Sequence, residues 1–227
     1  MTKSSGELPV IDHPDVEAAL VEIFEVAGPE AQESATSEIF AHWKASTWPT
    51  ELVSANCYRS TDGKSLLTYT QWSSRKVLEN SFQQDHGIIH LTRGRELAGA
   101  RTKGAKAFQL YRVVRGGAIT DPAPVPQCFP AAVFPMRGVQ AARDWIDGLL
   151  AAEEKAEGEE RAYPGAIAAN FHVSLDGTSV LVLSEWASEK EAAEHIDEVI
   201  EPLLEAAGGG DAGARYTHSF TLRPPSA

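Results

Sequence analysis

Sliding the 227-residue sequence along itself by 114 positions lays residues 55–74, ANCYRSTDGKSLLTYTQWSS, over residues 169–188, ANFHVSLDGTSVLVLSEWAS, without a gap. Nine of the twenty positions are identical, where average residue usage gives about one by chance. The matched positions are Ala55, Asn56, Ser60, Asp62, Gly63, Ser65, Leu67, Trp72 and Ser74, against Ala169, Asn170, Ser174, Asp176, Gly177, Ser179, Leu181, Trp186 and Ser188. The chain therefore reads as an internal duplication, two αβ units of roughly 100 residues each built on one plan.

Asp62-Gly63 and Asp176-Gly177 each separate two β-prone stretches. This is the strongest short-range hairpin signal, because glycine accepts positive φ without a steric penalty. Upstream of each hairpin the pattern predicts a strand, at residues 18–26 and 131–136, and then a helix. Ala35, Ile39 and Trp43 keep the 3.6-residue period in the first copy, and Val139, Ala142, Ile146 and Leu149 keep it in the second. A second helix follows each tryptophan. In the second copy it opens on Ser188-Glu189-Lys190-Glu191, a capping box, and runs to about Ala206 before Gly208-Gly209-Gly210. Last strands are expected at residues 108–115 and 216–223.

The order strand, helix, strand, strand, helix, strand is the ferredoxin-like arrangement of the α+β class, with helices on one face of an antiparallel sheet. The other face needs a cover. Two such sheets facing each other supply it, so the expected architecture is two tandem βαββαβ repeats packed as an intramolecular αβ barrel. The first repeat is placed at 14–117, a proline-rich linker at 118–130 and the second repeat at 131–224. The acidic stretch 153–161 and the glycine-rich stretch 208–213 read as solvated loops.

Charge and cysteine content remove several function classes. A formal net charge of −12, with no run among the twenty lysines and arginines, argues against nucleic acid and anionic lipid as partners. Two cysteines without a CxxC supply neither a disulfide framework nor a cysteine-rich zinc site. The N-terminus lacks the roughly 7 to 15 apolar residues of a signal peptide, and no run approaches the 18 or so of a membrane span. The expectation is a cytoplasmic protein. His42, His86, His90, His195 and His218 form no HExxH motif and read as surface or core residues, not metal ligands. No glycine-rich phosphate loop or nucleophile elbow is present.

A two-residue turn fixes which hairpin residues share a face. One face of the first copy then carries Cys57, Arg59, Leu66, Thr68, Thr70 and Trp72, and its counterpart carries Phe171, Val173, Val180, Val182, Ser184 and Trp186. The first set is mixed and the second nearly all apolar. Apolar walls with a few donors suit a ligand pocket, so the site is placed in the N-terminal copy, with the C-terminal copy as scaffold. The opposite face holds Asn56, Tyr58, Tyr69 and Gln71, against Asn170, His172, Leu183 and Glu185. These read as a hydrogen-bonded seam, with His172 or Glu185 as a base in the alternative. Trp43 and Trp48 either wall a pocket or pack beside the first helix.

The segments RSTDGKSLLTYTQWSS and VSLDGTSVLVLSEWAS resemble the signature of the antibiotic biosynthesis monooxygenase family of dimeric αβ barrels, most specifically in the hairpin and the Q/E-W-x-S that follows. The resemblance implies oxygenation of a phenolic, anthrone-like polyketide by O2, with no metal, flavin or haem. It implies catalytic roles for Trp72 and for the residue four positions earlier, an asparagine in the family. That position is Thr68 here, which keeps a hydroxyl donor, and Val182 in the second copy, which donates nothing. Cys57, Arg59, Thr70 and Trp43 are the expected substrate contacts, with Trp186 a further candidate in the second repeat. Relatives that degrade haem keep an axial histidine shortly after the tryptophan, where Phe82 and Ile196 fall here. Because the copies are fused, a monomer with pseudo-twofold symmetry is expected. Two alternatives stay open: a barrel that binds a hydrophobic small molecule or haem without oxygenating it, and a non-catalytic member with both sheet faces filled.

Overall fold

A computed structural model describes residues 3–5, 8–81, 97, 99–116, 124–157, 163–206 and 211–224. After a short β1 (Lys3–Ser5), the chain runs β2 (Ala18–Val26), α1 (Pro29–Ala45), β3 (Leu52–Ser60), β4 (Ser65–Trp72), α2 (Arg75–Ser81) and β5 (Ala100–Arg115). The same order returns as β6 (Ala131–Pro135), α3 (Val139–Glu157), β7 (Ala166–Ser174), β8 (Ser179–Trp186), α4 (Glu189–His195), a π-helical turn (Ile196–Ile200), α5 (Glu201–Ala206) and β9 (Tyr216–Arg223). The fold is α+β, and the described strand registers are antiparallel.

The residues shared by the two hairpins do the same work in each. Ser60 Oγ donates to Asp62 Oδ1 at 2.7 Å and accepts from Ser65 N–H at 2.8 Å; Ser174 repeats this with Asp176 at 2.6 Å and Ser179 at 2.9 Å. Gly63 and Gly177 take φ of 74° and 71°, the left-handed region that a side chain resists. Each also lies against a helix start. A Cβ on Gly63 would stand 2.8 Å from Pro29 Cγ, and one on Gly177 2.6 Å from Val139 N. Asn56 and Asn170 each donate across the strand pair, to the carbonyls of Tyr69 and Leu183 at 2.8 and 3.0 Å. Ser74 and Ser188 accept from the N–H groups of Val77 and Glu191 as helix N-caps. Leu67 and Leu181 are fully buried.

The chain divides into two compact units, one reaching Phe108 and resuming at Thr217, the other running Gln109–Tyr216. In the first, the sheet order is β1-β9-β3-β4-β2-β5, and in the second β5-β7-β8-β6. The breaks fall at matching places. Phe108 is the ladder partner of Ala19 on β2, and Tyr216 exchanges backbone hydrogen bonds of 2.8 and 3.2 Å with Phe129, just before β6. β5 thus begins in the first unit and ends in the second, and β9 begins at the last residue of the second unit and runs on in the first. The core of the first unit sets Ala35, Ile39 and Trp43 of α1 on Leu20, Phe24, Cys57, Leu66 and Trp72, joined by Phe220 and Leu222 of β9. In the second, Ala142 and Ile146 of α3 lie on Phe171, Val173 and Val180. Burying such a large apolar side chain contributes about 1.5–3 kcal/mol.

Several local expectations need correction. β5 starts at Ala100, not near 108: ARTKGAKA lacks alternation because a bulge interrupts it, with Lys103 and Gly104 facing the single residue Ile23. α3 extends to Glu157, into the acidic stretch read as a loop; residues 158–162 lie outside the described ones. Val139 is 40% exposed, so the buried stripe of α3 begins at Ala142. Gln127–Phe129, assigned to the linker, bond to Trp186 and Tyr216 as a strand edge, while 118–123 are outside the described residues. The capping box is altered, since Ser188 Oγ donates to Glu191 Oε2 at 2.7 Å. The helix that it opens is interrupted by the π turn. Among the described residues, no helix is long and apolar enough to cross a membrane.

Candidate functional site

The register of β2, β4 and β3 places side chains in rows on the face under α1. Cys57 pairs with Thr68 and Arg59 with Leu66, as a two-residue turn predicts. On the other side of β4, Ala18 pairs with Trp72, Leu20 with Thr70, Glu22 with Thr68 and Phe24 with Leu66. One row across three strands therefore reads Glu22–Thr68–Cys57. Its counterpart in the second unit reads Ala132–Val182–Phe171. A carboxyl, a hydroxyl and a small thiol stand where the other unit has only hydrocarbon.

Glu22 is 1% exposed. Its Oε1 accepts a hydrogen bond from Thr102 Oγ1. Its Oε2 has no hydrogen-bond partner among the described residues. Thr102 is held by the bulge: its hydroxyl accepts from Gly104 N–H at 2.8 Å, and Gly104 takes a φ of 92° to make that possible. Burial pushes the Glu22 carboxyl up from 4.5 to about 7, against the pull of the Thr102 hydroxyl. Sequence reasoning passed over this residue. The signal lay in AALVEIFEV, where the alternating set Ala18, Leu20, Glu22, Phe24, Val26 is apolar except for one carboxylate.

The expected substrate-side residues fall around this row. Trp72 is buried and its indole N–H donates to Thr70 Oγ1 at 3.0 Å, so Thr70 and Trp72 act as a pair. Cys57 is a buried free thiol that burial pushes up to about 12, against the pull of Arg59, so it stays protonated and inert near neutrality. Arg59 is half-buried opposite Leu66. Trp43 lies in the same core cluster, edge-on to Phe220 with centroids 5.9 Å apart. Its indole N–H has no partner among the described residues. Trp48 instead donates to Leu52 O at 2.7 Å and packs.

The opposite face of the first unit is a closed network. Ser54 donates to Gln71 Oε1 at 2.7 Å, Gln71 Nε2 donates to Val10 O at 2.8 Å, and Asn56 Oδ1 accepts from Thr221 at 2.8 Å. Tyr58 stacks edge-on against His218. In the second unit, Asn170 donates to Glu185 Oε1 at 2.9 Å. His172 is fully buried with Nδ1 3.1 Å from Asn170 O. Burial lowers His172 to about 4, outweighing its hydrogen bonds to the backbone of Asn170 and Leu181. A neutral imidazole so weakly basic is ill suited to abstract a proton at pH 7. Trp186 repeats the indole arrangement, donating to Ser184 Oγ at 3.1 Å. Phe82, His86 and His90 lie outside the described residues.

The sequence matches no family model and no curated protein. A solved structure described as an anthrone oxidase-like protein superposes with a TM-score of 0.62 at 19% identity, covering 93% of each chain. The chain has that protein's fold. An uncharacterised ferredoxin-fold protein from Listeria monocytogenes, described as related to antibiotic biosynthesis monooxygenases, matches at 0.42 and 8% identity over 93% of this chain and 96% of its own. A Streptomyces coelicolor monooxygenase solved with nanaomycin D matches at 0.33 and 24% identity over 44% of this chain and 89% of its own. The resemblance read from the two hairpins thus holds at the level of fold over nearly the whole chain.

What the fold supplies in the first unit is a buried apolar face under α1 with three kinds of polar group on it: a carboxyl, hydroxyls, and the indole N–H of Trp43, which has no partner among the described residues. Such a set can hold an aromatic ring, donate to an oxygen on that ring, and accept a proton from it.

Proposed function

We propose that this chain is a monooxygenase that oxidises a phenolic, anthrone-like aromatic substrate with O2, and that the substrate, not a bound cofactor, supplies the reducing electrons. The observation that carries the proposal is the row Glu22–Thr68–Cys57, set in an otherwise apolar face beside Thr70 and Trp72. Deprotonating an anthrone-type carbon leaves a delocalised anion that can pass an electron to O2 directly. The protein then has to exclude water, steady the enolate oxygen and manage protons. Thr68 is assigned the donor role, and Trp72 orients Thr70 and walls the ring.

The second unit, with Ala132, Val182 and Phe171 in the matching row, serves as scaffold. The finer architecture belongs to the same proposal: two ferredoxin-like repeats closed as an intramolecular barrel, working as a monomer. The test is oxygen uptake by chelator-treated protein given anthrone. One O2 consumed per quinone formed, unaffected by chelator, supports the proposal; no uptake with any anthrone or related phenol refutes it.

A further inference from the structure

We infer that Glu22 Oε2 is the proton acceptor of this site and that the site selects a neutral carbon acid, an aromatic ketone or phenol with an activated C–H and no carboxylate of its own. This deepens the oxygenase proposal and rests on it for the identity of the substrate. Three observations carry it. The carboxyl is buried on the face under α1 and one oxygen lacks a partner among the described residues. The other oxygen is fixed by Thr102, whose hydroxyl is itself fixed by the bulge at Gly104. The fold does not need the carboxyl, since Ala132 fills the corresponding place in the second unit.

Among the described residues Glu22 has no charged partner on its own row, which β5 extends with Ala105; Lys103 at the bulge pairs with Glu25, and Arg101 and Lys106 lie in register with Glu25 and Val21. The elements packed against it present Leu66, Thr68, Thr70 and Trp72 from β4 and Ala35, Ile39 and Trp43 from α1. β3 presents Cys57 and Arg59, and Arg59 pairs in register with Leu66, one row away. Among the described residues no cation stands on the Glu22 row, so an anionic substrate would add like charge beside a buried carboxylate, whereas a neutral acid hands over a proton and leaves its charge on a delocalised ring.

The steps balance. The carboxylate takes a proton from the methylene carbon, and the C–H electron pair stays on the substrate. The carbanion reduces O2 and combines with it to give a peroxide anion, which the Glu22 carboxyl protonates. The carboxylate then takes the second proton from the same carbon, the O–O bond breaks, and a carbonyl forms as hydroxide leaves. Hydroxide and the carboxyl proton give water. The net change is CH2 plus O2 to C=O plus H2O.

The experiment separates this step from oxygen chemistry. Under anaerobic conditions in D2O, the protein should catalyse loss of the anthrone methylene proton signal above the buffer rate. Glu22→Gln should lower that rate about 100-fold or more, and Glu22→Asp should retain part of it. Thr102→Val, which removes a donor to the carboxylate, should move the acid limb of the exchange profile to higher pH. Exchange undiminished in folded E22Q, or oxygen uptake unchanged by it, overturns the inference and leaves the oxygenase proposal standing. Exchange lost in E22Q, with no oxygen uptake by the wild type, supports the inference and refutes the oxygenase proposal. A wild-type protein that neither exchanges nor consumes oxygen overturns both.

Discussion

Glu22 on β2 and Thr68 on β4 are direct ladder partners, and Cys57 on β3 completes their row. A carboxyl so placed is held against its own solvation, so its effect on stability depends on pH.

Burial raises the folded pKa of Glu22 from 4.5 to about 7, so between those values the folded state holds a proton that the unfolded state has lost. Stability attributable to this group is therefore greatest below about pH 4.5 and declines as pH rises through 7. Glu22→Gln should be more stable than wild type at pH 8, by up to about 3 kcal/mol at 1.36 kcal/mol per unit. The gap should shrink towards zero at pH 5. Urea denaturation at the two pH values measures it, and an equal or less stable E22Q at pH 8 would contradict the burial.

His172 has the opposite sign. Its folded pKa is lowered from 6.5 to about 4, and that of His218 is lowered similarly, in each case mainly by burial. The unfolded chain takes up protons first on acidification, so stability should fall as pH drops from 6.5 towards 4. In the wild type the Glu22 contribution masks this slope. Acid unfolding of E22Q should reveal it, and His172→Gln in that background should flatten it.

The turn glycines carry a prediction about the hairpins. Gly63→Ala and Gly177→Ala should each cost about 1–2 kcal/mol from positive φ alone. Gly177→Ala should be the more damaging, because its Cβ meets the backbone nitrogen of Val139, whereas that of Gly63 meets a proline ring atom. Thermal melts of the two variants give the order.

These glycines also mark what the sequence could disclose. Ser60, Asp62, Gly63 and Ser65 act within a few residues of one another, so their pattern is readable and the hairpin register follows from it. Glu22 was readable in principle, as one charge in an inward apolar set, but its meaning depends on Thr102, eighty residues away behind a bulge that hides the strand pattern. That β9 joins the first unit left no local trace, because Tyr216–Arg223 reads as the same strand whichever neighbour it joins. The indole of Trp72 was expected to face a ligand; its bond to Thr70 is a two-residue contact that alternation alone does not specify.

That indole bond can be tested directly. Thr70→Val leaves a buried N–H unpaired and should cost about 1–3 kcal/mol. In a double-mutant cycle with Trp72→Phe, the combined loss should be smaller than the sum. Ser184→Ala should repeat the effect at Trp186 in the second unit without altering oxygen uptake.

Both cysteines are buried, and burial pushes their thiols up to about 12 for Cys57 and about 11 for Cys128. Native protein should show no thiol reacting with a disulfide reagent at pH 8, and both should react after denaturation.

Phe220 and Leu222 sit in the core of the unit that begins at the other end of the chain. A ribosome that has delivered the first hundred residues has therefore not delivered a complete first unit: α1 waits for residues 217–224 to be translated. A premature stop codon just after Tyr216 would spare every residue of the second unit and leave the first one open.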